Sequence, residues 1–158
     1  MKFVKAFSLF IFITLMSATI LIQDAKSQPH DGRLGLGVVI GEPSGITGKY
    51  WLNQRAAFAG ATAWSFRGNT TIHMHLDYAR HNFEAITVNK GSLAFFYGLG
   101  GRILIGDTDR IGVRIPFGLS YNFENDPLEI FLELAPILDL TPGTEFTGNS
   151  GLGLRYYF

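Results

Sequence analysis

The chain has 158 residues, 47% of them hydrophobic and 14% aromatic, and its 13 basic and 13 acidic side chains leave no formal net charge. That balance offers no basic surface for nucleic acid, and the absence of cysteine excludes disulfides, cysteine-ligated metal and a lipid-modified lipoprotein N-terminus. Every glycine lies at or after Gly32, in a region also rich in Phe, Tyr and Leu, a mixture that suits strands meeting lipid better than helices.

Lys2 and Lys5 precede an apolar run from Ala6 to Ile22, and Ala25-Lys26-Ser27 then fits the small-x-small pattern for cleavage before Gln28. Residues 1–27 therefore read as a signal peptide, with an uncleaved membrane anchor as the alternative because the run is long for such a signal. Residues 28–158 remain as one domain of ordinary size.

Period-two alternation predicts eight strands, at 33–41, 46–53, 55–66, 70–81, 92–105, 110–123, 128–140 and 149–158. The first sets Leu34, Leu36, Val38 and Ile40 against Gly35, Gly37, Val39 and Gly41. In the second and third, Ala56 to Ala63 offers small residues on both faces, so alternation does not fix their register. The fourth opposes Ile72, Met74, Leu76 and Tyr78 to His73, His75, Asp77 and Ala79. The sixth is the clearest, with Ile111, Val113, Ile115, Phe117, Leu119, Tyr121 and Phe123 on one face and Arg110, Gly112, Arg114, Pro116, Gly118, Ser120 and Asn122 on the other. The seventh opposes Leu128, Ile130, Leu132, Leu134 and Leu138 to Glu129, Phe131, Glu133 and Asp139. The eighth opposes Leu152, Leu154, Tyr156 and Phe158 to Gly151, Gly153, Arg155 and Tyr157.

Turn residues separate these runs at Glu42-Pro43-Ser44-Gly45, Gln54-Arg55, Arg67-Gly68-Asn69, Gly106-Asp107-Thr108-Asp109, Glu124-Asn125-Asp126-Pro127 and Thr141-Pro142-Gly143, the last opening a longer loop. Such connections leave no room for crossover helices, so the sheet is expected to be an antiparallel meander. The fold class that follows is all-β: an eight-stranded antiparallel up-and-down transmembrane β-barrel. With both termini in the periplasm, the loops near residues 43, 68, 107 and 145 face out of the cell. The alternative is a soluble barrel of the lipocalin type, with apolar residues in the cup. The large apolar side chains share one face while the other carries glycine with Arg, Glu, Asn and Ser. A narrow interior accepts the second face better than the first, which favours the membrane arrangement.

The inward charges are expected to pair: Arg102, Arg110, Arg114 and Arg155 with Glu129 and Glu133. A four-residue turn between the sixth and seventh strands places Asn122 opposite Glu129 and Gly118 opposite Glu133, leaving space for an arginine. These groups fill the lumen as a polar plug; a polar conduit is the sharper alternative, though eight strands leave too little lumen for a porin-like pore. His73, His75 and Asp77 lie along one strand face and are expected to serve interior hydrogen bonding, since a metal would need ligands from other strands and a catalytic site a hydroxyl in reach. No catalytic, cofactor or metal residue is assigned. Trp51, Trp64, Tyr50, Tyr97, Tyr121, Tyr156 and Tyr157 suit interfacial girdles.

The segments Leu76-Asp-Tyr-Ala-Arg-His-Asn-Phe83, Phe96-Tyr-Gly-Leu-Gly-Gly-Arg102, Gly112-Val-Arg-Ile-Pro-Phe-Gly118, Pro127-Leu-Glu-Ile-Phe-Leu-Glu-Leu-Ala-Pro136 and Gly153-Leu-Arg-Tyr-Tyr-Phe158 resemble a family of small bacterial outer-membrane barrels. More broadly the chain is similar to the OmpA/OmpX-like eight-stranded barrels. The resemblance implies location in the outer membrane, contact with its lipids, and recognition of the terminal Phe158, with Tyr156, by the barrel-assembly machinery. It implies a structural or interaction role at the envelope rather than an activity. The alternatives are a small-molecule or lipid-binding barrel and a lipid-modifying enzyme. The lipid A deacylase type carries a His-x-Ser pair, and His73-x-His75 does not reproduce it.

Overall fold

The structure, a computed structural model, describes residues 32–42, 44–65 and 71–158. The expected signal peptide, Pro43 and the expected turn at Arg67-Gly68-Asn69 fall outside the described residues.

Alternating side chains place strands β1 (Leu34–Glu42), β2 (Ser44–Trp51), β3 (Ala56–Ser65), β4 (Thr71–Ile86), β5 (Ser92–Ile105), β6 (Arg110–Arg114), β7 (Phe117–Asn122), β8 (Leu128–Thr141) and β9 (Glu145–Tyr157) along the chain. All pairings are antiparallel, and β1 against β9 and β4 against β5 close the ring. β6 and β7 are the halves of one crossing. Arg114 faces Gly100 on β5 and Ile137 on β8, and Phe117 faces Tyr97 and Leu134 in the continuing register. The result is an eight-stranded antiparallel up-and-down barrel.

The gap between the halves has a local cause. Ile115 donates to the Pro136 carbonyl at 3.0 Å and Gly98 donates to the Pro116 carbonyl at 2.8 Å. Neither proline has an N–H to return, so two ladder bonds are missing side by side.

The barrel is staggered. Stepping across the ladders from Leu36 leads through Gly48, Gly60, Leu76, Gly101, Val113 and Leu138 to Phe146, yet the residue facing Leu36 on β9 is Tyr156. A closed sheet of tilted strands requires such an offset.

The connections at residues 51–56, 86–92 and 122–128 lie at the same end as residues 32 and 158, the turn end; those at 42–44, 105–110 and 141–145 lie at the opposite, loop end. Short polar side chains shape several of them. Asn53 Oδ1 accepts from the amides of Arg55 and Ala56, both at 2.9 Å, and Asp109 Oδ1 accepts from Gly106 at 3.2 Å. Gly91 holds φ +66°, a left-handed conformation that suits glycine.

The two faces divide as the alternation predicts. Leu36, Val38, Ile40, Leu76, Leu99, Ile111, Ile115, Leu132, Leu152 and Leu154 are exposed on the outer wall, while Lys49, Asp77, Arg102, Arg114, Glu129, Asp139 and Arg155 are buried inside. This is the reverse of a soluble barrel.

Four expectations need correction. β4 runs to Ile86 rather than residue 81, because His81 and Phe83 continue the inward face and stack there with rings 6.2 Å apart. β9 begins at Glu145 rather than residue 149, so the expected longer loop is short; Thr147 belongs to the strand and binds an interior arginine. Trp51 and Tyr157 are buried in the lumen and do not join an outer girdle. Arg102 and Arg110 pair with Asp139 and Glu145, not with Glu129 or Glu133, because those acids lie farther toward the turn end along β8.

Candidate functional site

The lumen holds three charged groups stacked from the turn end to the loop end. The first is built around Glu129, with no exposed surface. Its carboxylate accepts from Lys49 Nζ at 2.7 Å, Ser120 Oγ at 2.5 Å, the Tyr157 hydroxyl at 2.5 Å and Arg155 Nη1 at 3.3 Å. Arg155 also donates to Thr47 Oγ1 from Nη2 at 2.8 Å and from Nε at 3.2 Å, and its guanidinium lies 3.7 Å over the Phe131 ring. Lys49 sits 4.2 Å over the Trp51 ring. Two cations around one carboxylate leave an excess of positive charge here.

Below this group the lumen is closed by rings. Trp51 and His81 lie 4.5 Å apart, Trp51 and Phe83 6.2 Å, and His81 and Phe96 5.4 Å. These flat side chains fill the turn end where a pore would open.

The second group centres on Arg114, also without exposed surface. Its Nη2 donates to Glu133 Oε1, and its Nε lies 3.1 Å from Asp77 Oδ1. Asp77 Oδ2 faces His75 Nε2 at 3.7 Å. One cation between two carboxylates leaves an excess of negative charge, offsetting that of the Glu129 group.

The third group, at the loop end, clamps Asp139. Arg102 donates to it from Nε at 2.9 Å and from Nη2, in the two-pronged geometry that guanidinium and carboxylate share. Arg102 Nη2 also reaches Thr147 Oγ1 at 2.9 Å, and Nη1 lies 3.5 Å from His73 Nε2. Arg110 Nη1 lies 3.5 Å from Asp139 and bridges to Glu145 at the rim.

Interior glycines make room for these side chains. Asp77 faces Gly100 across the β4–β5 ladder, and a Cβ there would stand 1.9 Å from Asp77 Oδ1. Phe131 faces Gly153, where a Cβ would stand 2.2 Å from the ring. The expected register holds: Asn122 faces Glu129 and Gly118 faces Glu133.

All nine residues named from the sequence, His73, His75, Asp77, Arg102, Arg110, Arg114, Glu129, Glu133 and Arg155, belong to these groups, and His73 and His75 are rings 6.1 Å apart on β4. Sequence reading passed over Lys49, the shortest ionic partner of Glu129, and did not assign Asp139, Thr47, Ser120 or Thr147 to the network. Thr47, Lys49 and Trp51 alternate against Ile46, Gly48 and Tyr50, a period that identifies Lys49 as inward once β2 is recognised. Tyr156 and Phe158 lie outward with ring centroids 5.0 Å apart, and the Phe158 amide donates to Leu34 at 2.9 Å.

No protein-family model matches the chain. No curated protein matches it in sequence. Among solved structures it is similar to the N-terminal β-barrel domain of Pseudomonas aeruginosa OprF, with 17% identity and a TM-score of 0.56 over 79% of this chain and 95% of that one. A second similarity is to Ail, the attachment invasion locus protein of Yersinia pestis, with 14% identity and a TM-score of 0.43 over 79% of this chain and 93% of that one. The argument from fold rests on the first: the chain shares the β-barrel fold of that domain.

Proposed function

We propose that this chain is an integral outer-membrane barrel with a structural or interaction role at the cell envelope and a lumen closed by its own side chains. The observation that carries this reading is the polarity of the wall. Apolar side chains cover the outside, while the charges of the Glu129 and Arg114 groups and the Arg102–Asp139 clamp lie inside, with Arg110 and Glu145 at the loop-end rim. In water that arrangement would expose the belt and bury the ions; in a bilayer it satisfies both faces. Strands of 13–16 residues in β4, β5, β8 and β9 exceed the length of about 9–11 needed to cross a bilayer at a tilt.

The turn end then faces the periplasm and the loop end the outside. Residues 1–27 act as the export signal, and Phe158 with Tyr156 is the mark read by the barrel-assembly machinery. Deleting Phe158 should leave the apolar alternation intact yet reduce insertion, scored as the fraction of protein in the outer membrane; undiminished insertion would sink that assignment.

Among the described residues, two cavities between the charged groups measure about 10 and 20 Å³, room for roughly one water each, where sites for small molecules are about 300–1,000 Å³, which supports a filled lumen over a ligand cup. His73 meets Arg102 and His75 meets Asp77, contacts that suit interior hydrogen bonding.

The test is membrane fractionation followed by electrophoresis with and without boiling. Outer-membrane recovery with a heat-dependent mobility shift is the expected result. A soluble periplasmic protein would overturn the reading.

A further inference from the structure

The centre of the lumen contains an arrangement that a resident arginine does not satisfy. His75, Asp77 and Glu133 each present a donor atom, and the three lie within 4.8 Å of one another. His75 and Asp77 come from β4; Glu133 comes from β8 across the lumen. Among the described residues this is the trans-lumen ligand that the His-x-His-x-Asp pattern lacked. We propose that these residues form a binding site for one borderline divalent transition-metal cation of the zinc type.

The ligand chemistry fits that class. One imidazole and two carboxylates form a nitrogen–oxygen set of three, the number that zinc takes from protein when water completes the shell. A shared ion about 2.0–2.2 Å from each donor requires donors no more than about 4.4 Å apart. His75 Nε2 and Asp77 Oδ2 already stand at 3.7 Å. The remaining separations, within 4.8 Å, exceed that limit by no more than about 0.4 Å.

A second observation is a set of buried polar atoms with no hydrogen-bond partner. Asp77 is 1% exposed, yet neither of its carboxylate oxygens accepts a hydrogen bond. Arg114 Nε is close to Oδ1 but not aligned to donate, and Arg114 Nε and Nη1 are themselves unsatisfied. Buried polar atoms are almost always hydrogen-bonded, and a cluster that is not calls for a water or an ion. Arg114 lies beside Oδ1 of Asp77 and donates to Oε1 of Glu133, leaving Asp77 Oδ2 turned to His75. The guanidinium is thus a positioning group that holds the carboxylates, as the partners behind metal ligands commonly do. It also neutralises one of their two charges, so the site favours a cation that binds through the directional nitrogen donor over calcium or magnesium, which take oxygen. A cavity of about 20 Å³ that His75, Arg114 and Glu133 help to line adjoins it.

The experiment uses the full folded barrel in detergent, with folding verified by heat-dependent mobility. Zinc chloride retained after dialysis is measured by elemental analysis, and cobalt chloride supplies a visible d–d spectrum and paramagnetic broadening. About one zinc per barrel is expected, with cobalt broadening concentrated on the His75 ring signals rather than those of His81. Changes to groups behind a metal already weaken binding by about 10–100-fold, so His75→Ala and Glu133→Gln should weaken zinc by at least that range, while His73→Ala retains it. No zinc on the folded wild-type barrel overturns the proposal, and so does retention undiminished in folded His75→Ala and Glu133→Gln. Where a variant does not fold, the wild-type broadening decides alone: broadening spread over surface residues and absent at His75 overturns the site.

Discussion

At the scale of single residues, burial separates ion pairs that matter from those that do not. Glu129 is enclosed with two cations and two hydroxyl donors, whereas the Arg55–Glu84 pair, 2.5 Å apart, has side chains 60% and 76% exposed. Glu129→Ala leaves Lys49 and Arg155 without their counter-ion and should lower unfolding stability by about 3–5 kcal/mol. Arg55→Ala should change it by less than about 1 kcal/mol. Urea titration of the refolded barrel in detergent measures both. Size is coupled as tightly as charge. Gly153→Val drives a side chain into Phe131 and should destabilise by about 1–3 kcal/mol, and adding Phe131→Ala should recover part of that loss, a non-additivity that a double-mutant cycle reads directly. The inward identity of Arg114, Glu129, Glu133 and Arg155 was legible from alternation alone, and their pairing as Arg114–Glu133 and Arg155–Glu129 falls within the expected set, but which arginine meets which carboxylate was not legible. Pairing depends on side-chain reach across the lumen, and alternation reports only which face a residue occupies.

At the scale of elements, legibility followed contrast between the faces. β7 and β8 oppose Leu119 and Tyr121 to Ser120 and Asn122, and Leu132 to Glu133, so face and register were both readable from the sequence. β3 carries alanine on both faces, and its register, with Gly48 against Gly60 and Tyr50 against Phe58, emerges only from pairing with β2. The start of β9 was missed because Thr147 there is polar yet binds an interior arginine, and the end of β4 because polar Asn82 and Glu84 stand exposed on the face that is mostly apolar earlier in the strand. The split sixth crossing offers a test of the ladder. Pro136→Val restores an N–H opposite the Ile115 carbonyl, and the new amide should be protected in hydrogen exchange to the degree of its ladder neighbours. The net stability change should stay within about 1.5 kcal/mol, since one recovered hydrogen bond is offset by the freer unfolded chain.

At the scale of the whole molecule, a lumen filled by the stacked charges and rings predicts no continuous aqueous path. Reconstituted in a planar bilayer, the protein should show no steps of porin size, and sustained large conductance would contradict the filled lumen. Ring closure between β1 and β9 carries a further consequence, for biosynthesis. The first strand made is completed only by the last, and until β9 arrives β1 and β8 both present open edges able to pair with any passing strand. A chain released early is therefore not a smaller barrel but an aggregation hazard. Shielding the edges of β1 and β8 until β9 pairs with both is thus part of making this fold.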